Sequence, residues 1–216
     1  MPELLTVVIG SYFLGSIPFA LLVVRVKGQT DVLQAGSGKA GAFNAYVVTH
    51  SKLTGLVVGL LDGLKGLAAV YLTGTFFSGS FWLLSLALLA AVTGHVFPVW
   101  TGLKGGRGLA TTAGGMSLIG WAYTVAWCTI WVTGRLLRRD ILFSNLAAIL
   151  GSPVLVWLIP WEWSSRIMVT PVDRWTFVFF SCVVSLVLLV SHLDALNDIW
   201  KGSSEPHENI PSSKES

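Results

Sequence analysis

Long apolar runs dominate this chain, and there are too many of them for a water-soluble core. A helix needs about 20 apolar residues to cross the hydrocarbon core of a bilayer. Runs of that kind cover residues 4–26, 53–77, 81–100, 119–137, 141–161 and 175–193. Only 12% of the residues are charged, whereas a soluble domain carries about a quarter. The sequence therefore predicts an all-α polytopic membrane protein.

A shorter apolar segment at residues 108–118 cannot cross a bilayer alone. We expect a tilted or half-length helix that turns near Gly120 into the next span. A transmembrane β-barrel is disfavoured, because its strands would give alternating segments of about ten residues, and the sequence lacks them. The prediction is therefore about seven transmembrane helices, one of them short.

The basic residues predict the orientation, since cytoplasmic loops are enriched in Lys and Arg. If the chain starts outside and the short segment counts as a crossing, eleven basic residues face the cytoplasm and two face outward. The outward pair is Arg166 and Arg174, and Lys65 lies within a span. The cytoplasmic set is Arg25, Lys27, Lys39, Lys52, Lys104, Arg107, Arg135, Arg138, Arg139, Lys201 and Lys214. We therefore expect an outside N-terminus and a cytoplasmic C-terminus.

Composition also limits the domains and partners. We expect one integral membrane domain over residues 1–201 and a disordered polar cytoplasmic tail over residues 202–216, which is rich in Ser, Glu and Pro. The net charge of +3 is small and thinly spread, so nucleic acid is not an expected partner. Cys128 and Cys182 lack the spacing of metal ligands. We expect no metal or other cofactor, and the sequence identifies the lipid bilayer but no protein as a partner.

The first polar cluster is the glycine-rich loop at residues 31–44. Glycines at this density let backbone N–H groups approach an anion closely. Ser37, Lys39 and Asn44 add side-chain donors. The alternative interpretation is a flexible linker between two helices.

The second cluster reads G-H-V-F-P-V-W at 94–100 and K-G-G-R-G at 104–108. Lys104 and Arg107 bracket two glycines directly before a helix start, where exposed amides and the helix dipole favour a phosphate group. The spacing does not fit a P-loop. The alternative for the two cations is anchoring at the cytoplasmic surface, and the alternative for His95 is a structural role.

Further polar residues lie at the end of the last span and inside the second. His192 is followed by Asp194, Asn197, Asp198 and Lys201. Asp62 and Lys65 are three residues apart, so they share one helix face and are expected to pair. Ionisable groups at membrane depth are costly and usually face the interior of the bundle.

These motifs resemble those of the bacterial membrane glycerol-3-phosphate acyltransferases that use acyl-phosphate as donor, the PlsY type. The most specific match is G-H-V-F-P-V-W followed by K-G-G-R-G-L-A-T at 104–111. Asp31 with G-S-G at 36–38 and G-A-F-N at 41–44 matches the first family motif, and D-G-L-K-G at 62–66 matches the next. The resemblance covers nearly the whole membrane region, from residue 15 to residue 202.

The resemblance implies transfer of a fatty acyl group from acyl-phosphate to the 1-hydroxyl of glycerol-3-phosphate, giving lysophosphatidate and phosphate. It implies a multi-pass protein of the bacterial plasma membrane with seven spans and a cytoplasmic active site. The implied catalytic residues are Ser37, Lys104 and His192. The implied substrate-binding residues are Gly38, Lys39, Gly41, Asn44, His95, Gly105, Gly106 and Arg107. If a substrate phosphate oxygen accepts the proton, as this family implies, both histidines are structural.

The chain departs from the family pattern at several polar positions. Lys39, Phe43 and Val47 stand where the family has Asn, Thr and Arg. Further replacements are Leu33 for Arg, Leu142 and Asn145 for Ser after Arg139, and Leu193, Ala195 and Asp198 for Arg, Asn and Arg. They motivate a second hypothesis, a catalytically impaired relative that binds a phosphorylated lipid or a partner protein. A small transporter is disfavoured, since duplicated halves with interrupted helices are missing.

Overall fold

The structure, a computed structural model, describes residues 2–26, 31–77, 79–138, 140–194 and 196. These residues contain ten α-helices and one 3₁₀ turn, Val99–Thr101. In chain order the helices are α1 (Pro2–Ser16), α2 (Phe19–Val26), α3 (Ala42–Thr49), α4 (Lys52–Phe76), α5 (Phe81–Val96), α6 (Leu109–Ile119), α7 (Trp121–Arg138), α8 (Ile141–Leu158), α9 (Trp161–Arg166) and α10 (Arg174–Val190). Within the described residues the only β-type pairing is an isolated bridge between Gly120 and Met168.

Four described segments are long and apolar enough to cross a membrane: Pro2–Val26, Lys52–Phe76, Phe81–Thr101 and Ile141–Leu158. Leu109–Ile119 and Arg174–Val190 are apolar but shorter. The all-α, multi-pass class predicted from the apolar runs is therefore confirmed.

The first apolar run is not one continuous helix. Helix α1 ends at Ser16 and α2 begins at Phe19, so the chain breaks at Ile17 and Pro18. Proline has no N–H to donate and disfavours helical geometry in the residue before it. The predicted half-length helix does exist as α6, and Gly120 turns the chain into α7 as expected.

Other predicted boundaries need correction. The run at 81–100 stays α-helical only to Val96, because Pro98 follows; the run at 141–161 ends at Leu158, before Pro160. The run at 175–193 ends at Val190. The loop at 31–44 already contains the first turn of α3. Residues 202–216, predicted to form a tail, lie outside the described residues.

Helix α4 has its apolar side chains outside and its polar side chains inside. Leu53 and Leu64 are 65% and 55% exposed, whereas Asp62 and Lys65 are 2% and 4% exposed. In water this distribution would be unfavourable, but lipid covers apolar surface at no such cost. Buried ionisable groups in such a helix face the bundle interior, which is where α4 holds Asp62 and Lys65.

Glycines bring the helices that carry the motifs into close contact. A Cβ atom at Gly66 of α4 would clash with the Thr111 carbonyl of α6, and one at Gly15 of α1 would clash with the Ala91 carbonyl of α5. Small residues allow such backbone approach between membrane helices, where packing rather than hydrophobicity drives association. These contacts fix the helices on either side of the 97–108 loop.

Candidate functional site

Asn44 organises the first glycine-rich loop. Its side-chain amide donates to the Val32 carbonyl at 2.8 Å and to the Lys39 carbonyl at 3.0 Å, and its Oδ1 accepts from the Ser37 N–H at 2.9 Å. The side chain is buried, with 3% exposure. Because these bonds use both amide N–H groups, the geometry gives Asn44 a role in shaping the loop, different from the substrate contact expected from the sequence.

The second loop depends on two glycines that have no room for a side chain. A Cβ at Gly105 would clash with the His95 carbonyl, and one at Gly106 would clash with the His95 ring and the Ala40 carbonyl. The Gly106 N–H donates to the His95 carbonyl at 3.1 Å. That amide is therefore not free for a phosphate, contrary to the role expected from the sequence. Gly105 and Gly106 both allow the loop to pack against His95, and the phosphate-binding role expected for Gly105 stays a prediction.

The two loops are joined directly. The Ala40 N–H donates to the Gly105 carbonyl at 3.1 Å, and a Cβ at Gly41 would lie 3.9 Å from the Gly106 Cα. A cleft of about 450 Å³ lies between these loops and the end of α10. It is lined by Leu33, Ser37, Gly38, Lys39, Val96, Phe97, Leu103, Lys104, Val190, Ser191 and Asp194. The structure thus brings Ser37, Gly38, Lys39 and Lys104 together, as the shared site requires.

Cations outnumber anions around this cleft. Lys104 is exposed on its edge, and Lys39 forms an ion pair with Asp194 across it. Arg107 is not among the residues that line the cleft; burial lowers the pKa of its guanidinium, while the Asp194 carboxylate opposes that shift. Asp194 is the partner that sequence reasoning missed, because nothing in the spacing of residues 39 and 194 indicates that they meet.

His192 is fully buried beside the cleft rather than exposed in it. Its Nδ1 lies 2.8 Å from the Leu188 carbonyl, which can only accept, so Nδ1 carries the proton. Its Nε2 has no hydrogen-bond partner among the described residues. Burial lowers the pKa of His192 to about 4, against the hydrogen bond to Leu188, and the nearby cations Arg107 and Lys39 add to the decrease. The imidazole is therefore neutral at pH 7, and its catalytic role stays a prediction.

His95 is also buried and does not line the cleft. Its Nδ1 lies 3.5 Å from Asp62 Oδ1, and the same carboxylate oxygen is 2.9 Å from Lys65 Nζ. The Asp62–Lys65 pair expected from the helix spacing is confirmed. The link to His95 was not expected, since it joins α4 to α5.

An apolar cavity of about 200 Å³ begins next to the cleft, between α6, α7 and α10. It is lined by Leu109, Ala110, Thr112, Ala113, Tyr123, Thr124, Trp127, Cys128 and Leu188. A Cβ at Gly108 would contact Val96, which lines the cleft, and Leu188, which lines the cavity. Gly108 therefore lies beside one lining residue of each hollow.

Several positions that depart from the family pattern lie away from the cleft or outside the described residues. Phe43 is 41% exposed, Leu193 is 45% exposed, and Asn145 accepts a hydrogen bond from the Trp131 indole at 2.8 Å. Leu33 lines the cleft, where a family arginine would add charge. The described residues do not include Arg139, Ala195 and Asp198.

Fold and site together define a multi-pass membrane protein with a cation-rich cleft beside an apolar cavity, an arrangement suited to amphipathic anionic ligands. The sequence profile of the family named glycerol-3-phosphate acyltransferase matches residues 5–202. A relative of that name from Gluconobacter oxydans (strain 621H) is 36% identical over 191 residues, 88% of this chain and 86% of the relative. Another from Synechococcus sp. (strain JA-3-3Ab) is 41% identical over 149 residues, 69% of this chain and 72% of the relative.

Two solved structures have the same fold. The crystal structure of PlsY (YgiH), an integral membrane glycerol 3-phosphate acyltransferase, in its glycerol 3-phosphate form matches with a TM-score of 0.75 and 28% sequence identity over 92% of each chain. Its lysophosphatidic acid form matches with a TM-score of 0.72 and 26% identity, again over 92% of each chain. The chain belongs to the glycerol-3-phosphate acyltransferase family.

Proposed function

We propose that this protein transfers a fatty acyl group from acyl-phosphate to the 1-hydroxyl of glycerol-3-phosphate, forming lysophosphatidate and phosphate for phospholipid synthesis. The observation that carries the proposal is the single cleft lined by Ser37, Gly38, Lys39 and Lys104. Cations and glycine-rich backbone in one cleft suit two phosphate-bearing substrates.

The reaction asks for little beyond orientation and charge neutralisation, because acyl-phosphate already carries a good leaving group. The hydroxyl oxygen attacks the acyl carbonyl carbon, an ester bond forms, and the bond from that carbon to the phosphate oxygen breaks. The departing phosphate takes up the hydroxyl proton. Holding the two substrates in contact lowers the barrier by removing translational freedom, and a fixed cation stabilises the charge that develops.

The roles follow from the position of each side chain. Lys104, exposed at the cleft edge, neutralises the phosphate of one substrate, and Lys39 with the Ser37 hydroxyl binds the phosphate of the other. Asn44 and Gly106 shape the two loops instead of contacting substrate. His192, buried and neutral, supports the Arg107–Ser191 contact, in which the Ser191 hydroxyl donates to the Arg107 carbonyl at 3.0 Å.

The fatty acyl chain occupies the apolar cavity between α6, α7 and α10. Its lining is nearly all carbon, and its lining residue Leu188 lies beside Gly108, the residue that follows the 104–107 segment. An acyl-phosphate whose phosphate lies at Lys104 can therefore place its chain among α6 and α7 side chains. This arrangement separates an anionic headgroup from an apolar tail.

We infer seven crossings, made by α1 with α2, α4, α5, α6, α7, α8 and α10, with the N-terminus outside and the cleft facing the cytoplasm. The excess of basic residues near the cleft loops supports this orientation. We also infer one membrane domain over residues 1–201 and a separate polar tail over 202–216.

The test is an assay of purified protein in detergent with palmitoyl-phosphate and glycerol-3-phosphate. We expect phosphate release that requires glycerol-3-phosphate, with lysophosphatidate formed in equal amount. Binding of glycerol-3-phosphate without phosphate release would contradict the proposal and favour the relative that has lost acyl transfer. A lipid extract of the reaction separates true transfer from simple hydrolysis, because hydrolysis yields free fatty acid.

A further inference from the structure

The buried ion cluster of Asp62, Lys65 and His95 contacts the 97–108 loop, which carries Lys104, through the His95 side chain. Asp62 and Lys65 are held on the inner face of α4 with side-chain exposures of 3% and 2%. Both side chains are shielded from lipid and solvent, so neither charge is there to contact the surroundings. Ionisable pairs at membrane depth usually have a function. The pair therefore needs an account that the proposed reaction does not give.

Lys65 ties this cluster to the break between α1 and α2. Its Nζ donates to the Ile17 carbonyl at 3.0 Å and lies 5.8 Å from the centre of the Phe19 ring. That carbonyl belongs to the residue before Pro18, where the regular helix bonds are interrupted. One end of the cluster is thus anchored to main chain.

His95 connects the other end to the loop that presents Lys104. Its Nδ1 faces Asp62 Oδ1 at 3.5 Å, and its opposite edge packs against Gly106 so closely that no Cβ would fit. Its carbonyl accepts the Gly106 N–H at 3.1 Å. The carbonyl of the preceding residue, Gly105, accepts the Ala40 N–H of the first loop. Rotation of the His95 ring would therefore displace both loops of the cleft.

We propose that Asp62, Lys65 and His95 are positioning residues for acyl transfer, which hold the Gly105–Gly106 turn and thereby fix Lys104 relative to the Ser37 loop. This inference rests on the proposed function. The two charges act on the loop through a chain of contacts. Lys65 holds Asp62, and Asp62 orients the His95 ring. The ring and the carbonyl of His95 then hold Gly106. A small displacement of a catalytic group lowers the rate strongly while leaving substrate binding almost intact.

The test uses the double variant Asp62→Asn/Lys65→Met, which removes both charges together and leaves no uncompensated buried ion. We expect kcat to fall by about 10- to 100-fold, with the KM for glycerol-3-phosphate unchanged within about threefold. Hydrogen exchange of the peptide covering 97–108 should accelerate, because the bond from the Gly106 N–H to the His95 carbonyl opens more often once Asp62 no longer holds the His95 ring. The matched control is Thr73→Val, a buried change on the same face of α4, where the Thr73 hydroxyl donates to the Ala69 carbonyl of its own helix. It should leave kcat and exchange unchanged.

His95→Leu gives a second test that keeps the Asp62–Lys65 pair intact if the double variant fails to fold. It should show the same loss of kcat and the same faster exchange. Wild-type kcat and wild-type exchange in either folded variant would overturn the proposal. Asp62 and Lys65 would then serve only to neutralise each other's charge. If the wild-type protein releases no phosphate, acyl transfer fails, but the exchange measurement still tests the positioning.

Discussion

The cleft and the apolar cavity each have a lining residue beside Gly108, but they are built by different means. The cleft is made from loops, and its contacts are hydrogen bonds and charges between segments far apart in sequence, such as Lys39 with Asp194. The cavity is made from helix faces, with small residues such as Ala110 and Ala113 leaving the space. In the proposed reaction, a substrate headgroup would therefore contact charged side chains held by loop hydrogen bonds. The acyl tail would occupy space left by helix packing. Changes on the two sides should affect different properties of the enzyme.

The largest expected effect is on the cleft side, from Lys104→Ala. Removing the exposed cation from the cleft takes away charge stabilisation in the transition state, so kcat/KM should fall by about 10²- to 10³-fold. Phosphate release by the purified variant measures this. Lys52→Ala, at the start of α4, is the control for loss of one basic residue and should stay within about twofold. Equal activity of Lys104→Ala and Lys52→Ala would show that Lys104 does not take part in catalysis.

The next effect is on the cavity side, from Ala113→Leu. Three added carbons reduce the space for a chain, so kcat/KM for a long acyl-phosphate should fall by about tenfold relative to a short one. The matched control is Ala90→Leu, which fills a different apolar groove between α1 and α5. Activity against a series of chain lengths is the measurement. If Ala90→Leu alone changed the chain-length preference, the result would show that the acyl tail binds in the groove between α1 and α5 instead.

A smaller effect is expected from Asp194→Asn, which removes the carboxylate that competes with substrate phosphate for Lys39. The pair is partly exposed, so we expect the KM for glycerol-3-phosphate to fall by only about two- to fivefold, and less at high salt. In a Lys39→Met background the same change should have no effect on KM. A rise in KM would instead mean that Asp194 positions Lys39.

The smallest effect is on stability and comes from His192. Its pKa of about 4 in the folded protein is below the ordinary value of 6.5, so the unfolded chain binds more protons between these pH values. Stability should therefore decrease as the pH falls from 6.5 to 4. His192→Gln should weaken this pH dependence of the unfolding midpoint in detergent. Identical slopes for wild type and His192→Gln would contradict the account.

The contrast between helix-built and loop-built regions also explains which features could be predicted from the sequence. Apolar length predicted the membrane class, and the three-residue spacing predicted the Asp62–Lys65 pair, because both depend on local periodicity. Glycines and cations identified the two loops that form the cleft. The ion pair of Lys39 with Asp194 and the link of Asp62 to His95 could not be predicted, since each joins residues from different helices or loops. Asn44 and Gly106 bond main chain in the structure, and the sequence could not show this, because a group that bonds main chain and one that binds phosphate have the same chemistry.

The central claim is that Lys104 and the Ser37 loop form one site for acyl transfer, and its most direct measurement is complementation. A bacterium lacking its acyl-phosphate-dependent glycerol-3-phosphate acyltransferase would receive the wild-type chain or Lys104→Ala at matched membrane levels. The account predicts growth with the wild type and none with Lys104→Ala. No growth with well-expressed wild type, or equal growth with both, would contradict it.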